Sequence, residues 1–150
     1  MNRKKIIWLI ILFVAAGAIW YGYSEYTRSN KNYQHVTPDF TFSAADLIRE
    51  YEKDDSVAGL KYNGKAVEVS GNIKNIDKDE KGFYTIILGG NAGLSSVRCA
   101  MDTLYKEDAA DLRVGSSVTL RGACTGFYKD EMGLGSDVIL NLCAVVSKKK

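Results

Sequence analysis

Residues 66–74 read AVEVSGNIK, and this stretch decides the fold. Val67, Val69, Gly71 and Ile73 share one face; Glu68, Ser70, Asn72 and Lys74 share the other. A period of two with apolar residues on one side marks a strand half-buried on a core. The pattern recurs downstream. Residues 77–82 read as a turn. Tyr84, Ile86 and Leu88 form the next inward set, with Phe83, Thr85 and Ile87 outward. The run GGNAG at 89–93 joins two strands, so it reads as a hairpin turn and not as a phosphate-binding loop, which joins a strand to a helix. Val97, Cys99 and Met101 then alternate with Arg98, Ala100 and Asp102. Residues 103–112 look helical, with Leu104, Ala109 and Leu112 apolar, and Gly115 ends that stretch. Val118, Leu120 and Gly122 belong to a fourth strand. Residues 127–135 read as a loop and 138–146 as a fifth strand.

Three strands, a helix and two strands give the order β-β-β-α-β-β. That is the chain order of an OB fold, a mainly β, five-stranded Greek-key barrel. A small β-sandwich would fit the strand count, but sandwiches rarely place a helix between the third and fourth strands. Upstream of the barrel, helical spacing starts at Ser43, an expected N-cap, with Asp46 in the first turn where the helix dipole favours it. Leu47, Ile48 and Tyr51 follow at helical intervals, and Val57, Leu60 and Tyr62 suggest a further short turn before Asn63 and Gly64. This N-terminal helix is expected to cover one end of the barrel.

The chain begins differently. Residues 6–23 read IIWLIILFVAAGAIWYGY, 18 residues without a charge. As a helix they are just long enough to cross roughly 30 Å of hydrocarbon. Trp8 lies near one end, and Trp20, Tyr21, Tyr23 and Tyr26 near the other, as in interfacial aromatic belts. Arg3, Lys4 and Lys5 are expected to stay in the cytoplasm, which puts the barrel outside. A cleaved signal peptide is the alternative, since Ala16, Gly17 and Ala18 offer small residues to a peptidase. A lipoprotein signal is excluded, because no Cys precedes Cys99. The expected organisation is a basic tail at 1–5, a transmembrane anchor at 6–23 and a polar tether at 24–42. The OB domain follows at 43–147, then a basic tail at 148–150. His35 sits in the tether and is read as solvated.

Charge and composition narrow the function. Lys plus Arg is 20 and Asp plus Glu is 18, a net charge of +2. Without the six terminal basic residues, residues 6–147 carry 14 basic and 18 acidic groups, a net of −4. This weighs against nucleic acid, whose binding rests on neutralising phosphates. The outer face of strands 2 and 3, where OB folds take oligonucleotides, offers Phe83, Thr85 and Arg98 as candidate binding residues. No paired carboxylates, nucleophile elbow or phosphate loop points to an enzyme. Cys99, Cys124 and Cys143 are 25 and 19 residues apart with no CxxC pair, so no metal site is expected. No cofactor is expected. The reading is a membrane-anchored OB-fold binding module, outside the cytoplasmic membrane, for an envelope protein, peptide or glycan. The alternative is a cytoplasm-facing OB domain that binds nucleic acid.

Ala44, Leu47, Tyr51, Val57, Tyr62, Gly64-Lys65 and Val67-Glu68-Val69-Ser70-Gly71 together resemble the tRNA_anti-like family of bacterial OB-fold proteins. Val97-Arg98-Cys99, Val118 to Cys124 and Leu140 to Cys143 resemble it too. The likeness covers residues 43–147. It implies the barrel; the family name reflects fold similarity to anticodon-binding domains and assigns no ligand. The overall plan also resembles that of the cytochrome c maturation haem chaperones. Those hold haem through a His beyond the barrel, and no His follows His35 here.

The family-like pattern Gly122-Ala123-Cys124, with the shorter closed loop, favours a Cys124–Cys143 disulfide. Such a loop of about 20 residues would give roughly 3 kcal/mol in the chain-entropy model. Cys143 is out of phase with Leu140 and Leu142, which disagrees with that pairing. Three buried, reduced thiols remain the alternative.

Overall fold

The computed structural model describes residues 3–26, 32–89, 93–130, 132 and 135–149, with side chains omitted for 3–11, 24–26 and 149. The chain divides into two units, residues 1–30 and 31–150. The first is a 24-residue helix, α1 (Arg3–Tyr26). Its described side chains, residues 12–23, are all exposed. Among the described residues no helix is long and apolar enough to cross a membrane. The side chains of the expected anchor at 6–11, and Met1 and Asn2 of the basic tail, lie outside the description.

The second unit contains β1 (Phe40–Ser43), α2 (Ala44–Lys53), α3 (Asp55–Tyr62), β2 (Ala66–Lys78), β3 (Tyr84–Gly89) and β4 (Ser96–Met101). A short 3-10 turn (Thr103–Tyr105) leads into α4 (Lys106–Ala110), β5 (Ser117–Lys129) and β6 (Ser136–Lys149). The sheet order is β1-β2-β3-β4-β6-β5, and β2 also pairs β5. That closes β2, β3, β4, β6 and β5 into a five-stranded barrel, so the last strand lies between the third and fourth barrel strands. One long β2 serves both neighbours: residues 66–72 pair β5, and 72–78 pair β3.

The alternation read from the sequence places the core. Val67, Val69, Ile86, Leu88, Val97, Cys99, Leu120, Cys124, Val138 and Leu140 are all fully buried. Ser43 caps α2, its hydroxyl accepting from the Asp46 amide at 3.2 Å. Asp54 ends α2 and caps α3 by accepting from the Val57 amide at 2.9 Å. Leu47, Ile48, Tyr51, Ala58 and Tyr62 pack these two helices into the core cluster.

Several expectations are corrected. The polar segment at 24–42 is no tether throughout. α1 continues to Tyr26, residues 27–31 lie outside the description, and 32–43 are held to the barrel. Tyr33 is buried, β1 pairs in parallel with Val67 to Ser70, and the Asp39 carboxylate accepts from the Ala66 amide at 2.9 Å. The carbonyls of Gln34 and Val36 accept from Arg121, which also pairs with Glu68 at 2.5 Å. A polar segment folds here because its backbone and carboxylate answer groups on β2 and β5. The basic tail is likewise part of the barrel: Lys148 lies in β6 opposite Val118, its ammonium 3.7 Å from Asp108 and 3.6 Å from Asp111. Val57 and Leu60 face outward, since the buried face of α3 is that of Ala58 and Tyr62. Leu104 is also exposed, because the 3-10 turn changes the phase of its segment. Ile87, expected outward, is only 9% exposed; its register partners Asn75 and Arg98 flank it on that face.

Candidate functional site

The three outer-face candidates are near one another but make a poor anion platform. Phe83 precedes β3, and its amide is held by the Asp79 carboxylate at 2.8 Å. Thr85 lies on β3 between Asp77 and Ala100. Arg98 stands on β4 with its guanidinium 3.6 Å from Asp77 and 3.6 Å from Asp137. Two carboxylates already answer its charge, so a phosphate there would have to displace one. The sequence shows Arg98 but not the two acids, which strand register brings in from β2 and β6.

The cysteines differ from the expected pairing. All three are buried free thiols, and the Cys124–Cys143 bridge is not formed. Cys124 lies opposite Leu140, while Cys143 pairs in register with Met101 on β4. The phase conflict is resolved at Leu142, whose φ of 54° lies in the left-handed region. This breaks the alternation, so that Cys143, Ala144 and Val145 are all buried. Burial first, and then the neighbouring Cys99 thiol, push the Cys143 pKa well up. The Cys143 thiol also rests on bare backbone: a Cβ on Gly122 would stand 2.5 Å from its sulfur.

Sequence reading missed one concavity. A cleft of about 730 Å³ opens between the α2–α3 junction, residues 94–95 and the tip of the β5–β6 hairpin. The half-buried Phe127 lines its floor and stacks on the fully buried Tyr51, ring centroids 5.2 Å apart at 19°. Tyr51 is fixed from below: its hydroxyl donates to Asn63 at 2.9 Å and lies 3.0 Å from the Cys124 sulfur. Burial first, and then the thiol contact, push the Tyr51 pKa far up. Burial also raises the Cys124 pKa, against a smaller opposing effect of the Tyr51 hydroxyl. This floor is therefore neutral at ordinary pH. A second concavity of about 340 Å³ continues along α3 and shares Tyr51, Asp55 and Phe127 with the first.

Glu52, Asp54, Asp55 and Asp130 stand around the cleft, against Lys53 and Lys129. Among the described residues none of these four carboxylates is in an ion pair. The walls are tied together. The Ser95 hydroxyl donates to Glu52 at 2.6 Å and accepts from the Ser136 amide at 3.1 Å. Gly135 has φ of 112°, and a Cβ on it would stand 2.6 Å from the Leu94 carbonyl carbon. The sequence contained a signal for this in Asp54 and Asp55, which interrupt the helical pattern. Residues 90–92, 131, 133 and 134 of the expected turn and loop lie outside the description. Among the described residues no group of three or more His, Cys, Asp or Glu is placed to hold a metal ion.

This is a small OB-fold domain with leading helices. A model of the tRNA_anti-like family matches residues 1–138, and the chain belongs to that family. No curated protein matches it. Among solved structures it is similar to a lipoprotein of Klebsiella pneumoniae provisionally described as nucleic acid-binding. That match has 20% identity and a TM-score of 0.56, over 71% of this chain and 91% of the other. It is also similar to asparaginyl-tRNA synthetase from Pyrococcus horikoshii, with 20% identity, a TM-score of 0.41, and coverage of 60% and 21%. A third similar structure is an OBody bound to hen egg-white lysozyme, with 13% identity, a TM-score of 0.45, and coverage of 59% and 88%. At these identities the likeness concerns the fold.

Proposed function

We propose that this chain is a membrane-anchored OB-fold binding module whose barrel faces away from the cytoplasm and takes an envelope protein, peptide or glycan. The observation that carries the binding side is the contrast between two surfaces. On the outer face, where an OB fold would take a nucleic acid, Arg98 is neutralised by Asp77 and Asp137. The open cleft at the barrel end carries more carboxylates than ammonium groups, a field that repels phosphate. Anchoring is supported by the uncharged run at 6–23 within a continuous helix of 24 residues. At 1.5 Å per residue such a helix reaches roughly 36 Å, against roughly 30 Å of hydrocarbon. Arg3, Lys4 and Lys5 before the run set the orientation.

The experiment is a pair of fusions after Lys150. Alkaline phosphatase should be active and a cytoplasm-only fluorescent protein dark. The reverse pattern would overturn the reading and favour the cytoplasm-facing, nucleic-acid-binding alternative.

A further inference from the structure

The cleft has three properties that together specify an occupant. Its floor is apolar and uncharged: the half-buried Phe127 ring, stacked on the fully buried Tyr51. Its border carries Glu52, Asp54, Asp55 and Asp130 against Lys53 and Lys129, a net of −2 from four acids and two bases. Each of these acids already has one oxygen engaged within the domain. Glu52 holds Ser95, Asp54 the Val57 amide, Asp55 the Ser56 hydroxyl and Asp130 the Met132 amide. These bonds fix the carboxylates in place without neutralising them. Some acids elsewhere meet cations: Asp77 and Asp137 at Arg98, Glu68 at Arg121, Asp108 and Asp111 at Lys148. Among the described residues the cleft is thus a preformed cavity whose four carboxylates make no ion pair, over an aromatic base. A preorganised site of this kind spends little on ordering when it binds.

We infer that the cleft binds an extended peptide segment carrying Lys or Arg side chains between apolar ones. This rests on the reading of the barrel as a binding module and names its ligand class. A Lys or Arg side chain can lay its aliphatic stem along an apolar floor while its head reaches carboxylates at the edge. Its head also gains from the face of an aromatic ring. Leu94, exposed on the wall, supplies contact for an apolar side chain of the same segment. The volume of about 730 Å³ falls within the roughly 300–1,000 Å³ range of ligand pockets. A nucleic acid meets the wrong charge here, and a neutral glycan leaves the carboxylates without a cation.

The test titrates the full chain in zwitterionic detergent with three labelled probes, read by fluorescence anisotropy. The first is a blocked peptide alternating lysine with leucine and phenylalanine. The second has glutamate in place of every lysine, and the third is single-stranded oligothymidylate. The lysine peptide should bind, and more weakly as salt rises. The other two should bind at least ten-fold more weakly. Asp54→Asn with Asp55→Asn keeps a capping residue on α3 and removes two charges. It should weaken the lysine peptide at least five-fold. Glu80→Gln with Glu107→Gln removes two exposed charges away from the cleft and should leave binding within two-fold. Leu94→Arg, an exposed change that places a cation on the wall, should weaken it as well. Equal or tighter binding of the glutamate peptide or the oligothymidylate overturns the inference. So does an equal loss in the Glu80/Glu107 pair, or unchanged binding in both cleft variants. Any of these results leaves the topology fusions standing, so the two readings fail separately.

Discussion

Leu120 faces Val69 across the β2–β5 ladder and Val145 across β5–β6, and none of its surface is exposed. Leu120→Ala should cost roughly 2–5 kcal/mol, measured from urea unfolding, because the cavity cannot close in a paired strand. A loss under about 0.5 kcal/mol would put the side chain on the other face. One residue on, Arg121 serves a different purpose. Its fork meets Glu68 and the carbonyls of Gln34 and Val36, tying residues 32–39 to the barrel. Arg121→Lys keeps the charge but cannot span all three partners. It should cost about 1–3 kcal/mol and speed proteolysis before Phe40; unchanged protection would show that the carbonyl contacts do not hold the segment. The buried thiols set an alkaline limit. Cys124 and Cys143 have raised pKa values in the folded chain, chiefly through burial, whereas unfolded thiols ionise from about pH 8.5. Above that pH the unfolded state holds fewer protons, so stability is full below it and falls as pH rises. The urea midpoint should drop between pH 7.5 and 10, and drop less in Cys143→Ala. Equal drops in both would remove the thiols as the cause.

Among the elements, α2 was the most legible piece outside the strands. Ser43 accepts from Asp46 as a local cap must, and this needs nothing beyond the next turn. Ser43→Ala should cost about 1 kcal/mol by thermal or urea unfolding, while Ser43→Asp should keep most of the stability. Equal stability of all three would mean that packing alone starts the helix. β1 was illegible for the opposite reason. Residues 40–43, FTFS, form a strand because Val67 to Ser70 offer them a free edge, and Phe40 and Phe42 meet Tyr62 at 5.0 and 5.3 Å between ring centroids. β6 was read too short. Its last residues are polar and pair β5 at the barrel's end, where one face is wet.

At the scale of the whole molecule, the two units differ in what they expose. The barrel has its own core, whereas the described side chains of α1 are exposed and mostly apolar, Phe13 at 82% and Trp20 at 80% among them. In water such a helix would leave a large apolar surface uncovered. The chain should therefore stay in the membrane pellet through alkaline carbonate extraction, at full mass. An N-terminus beginning at Ile19 would show cleavage and remove the anchor. Under the proposed topology, the acidic cleft would present its carboxylates to the envelope and not to cytoplasmic nucleic acid.

The sequence by itself determined the barrel, because the alternation at 67–73, 84–88, 97–101 and 118–124 is imposed by the pleat of each strand and needs no distant partner. It also determined the capping of α2 and the family. Only the tertiary structure decided what depended on register. It put Asp77 and Asp137 beside Arg98, and it turned Cys143 inward through a left-handed Leu142. It also gathered Tyr51 and Asp54 from the end of α2, and Phe127 and Asp130 from the end of β5, around one cleft. The reason is physical: periodicity reports which face a side chain takes, whereas the groups that share that face arrive from strands and loops far away in sequence.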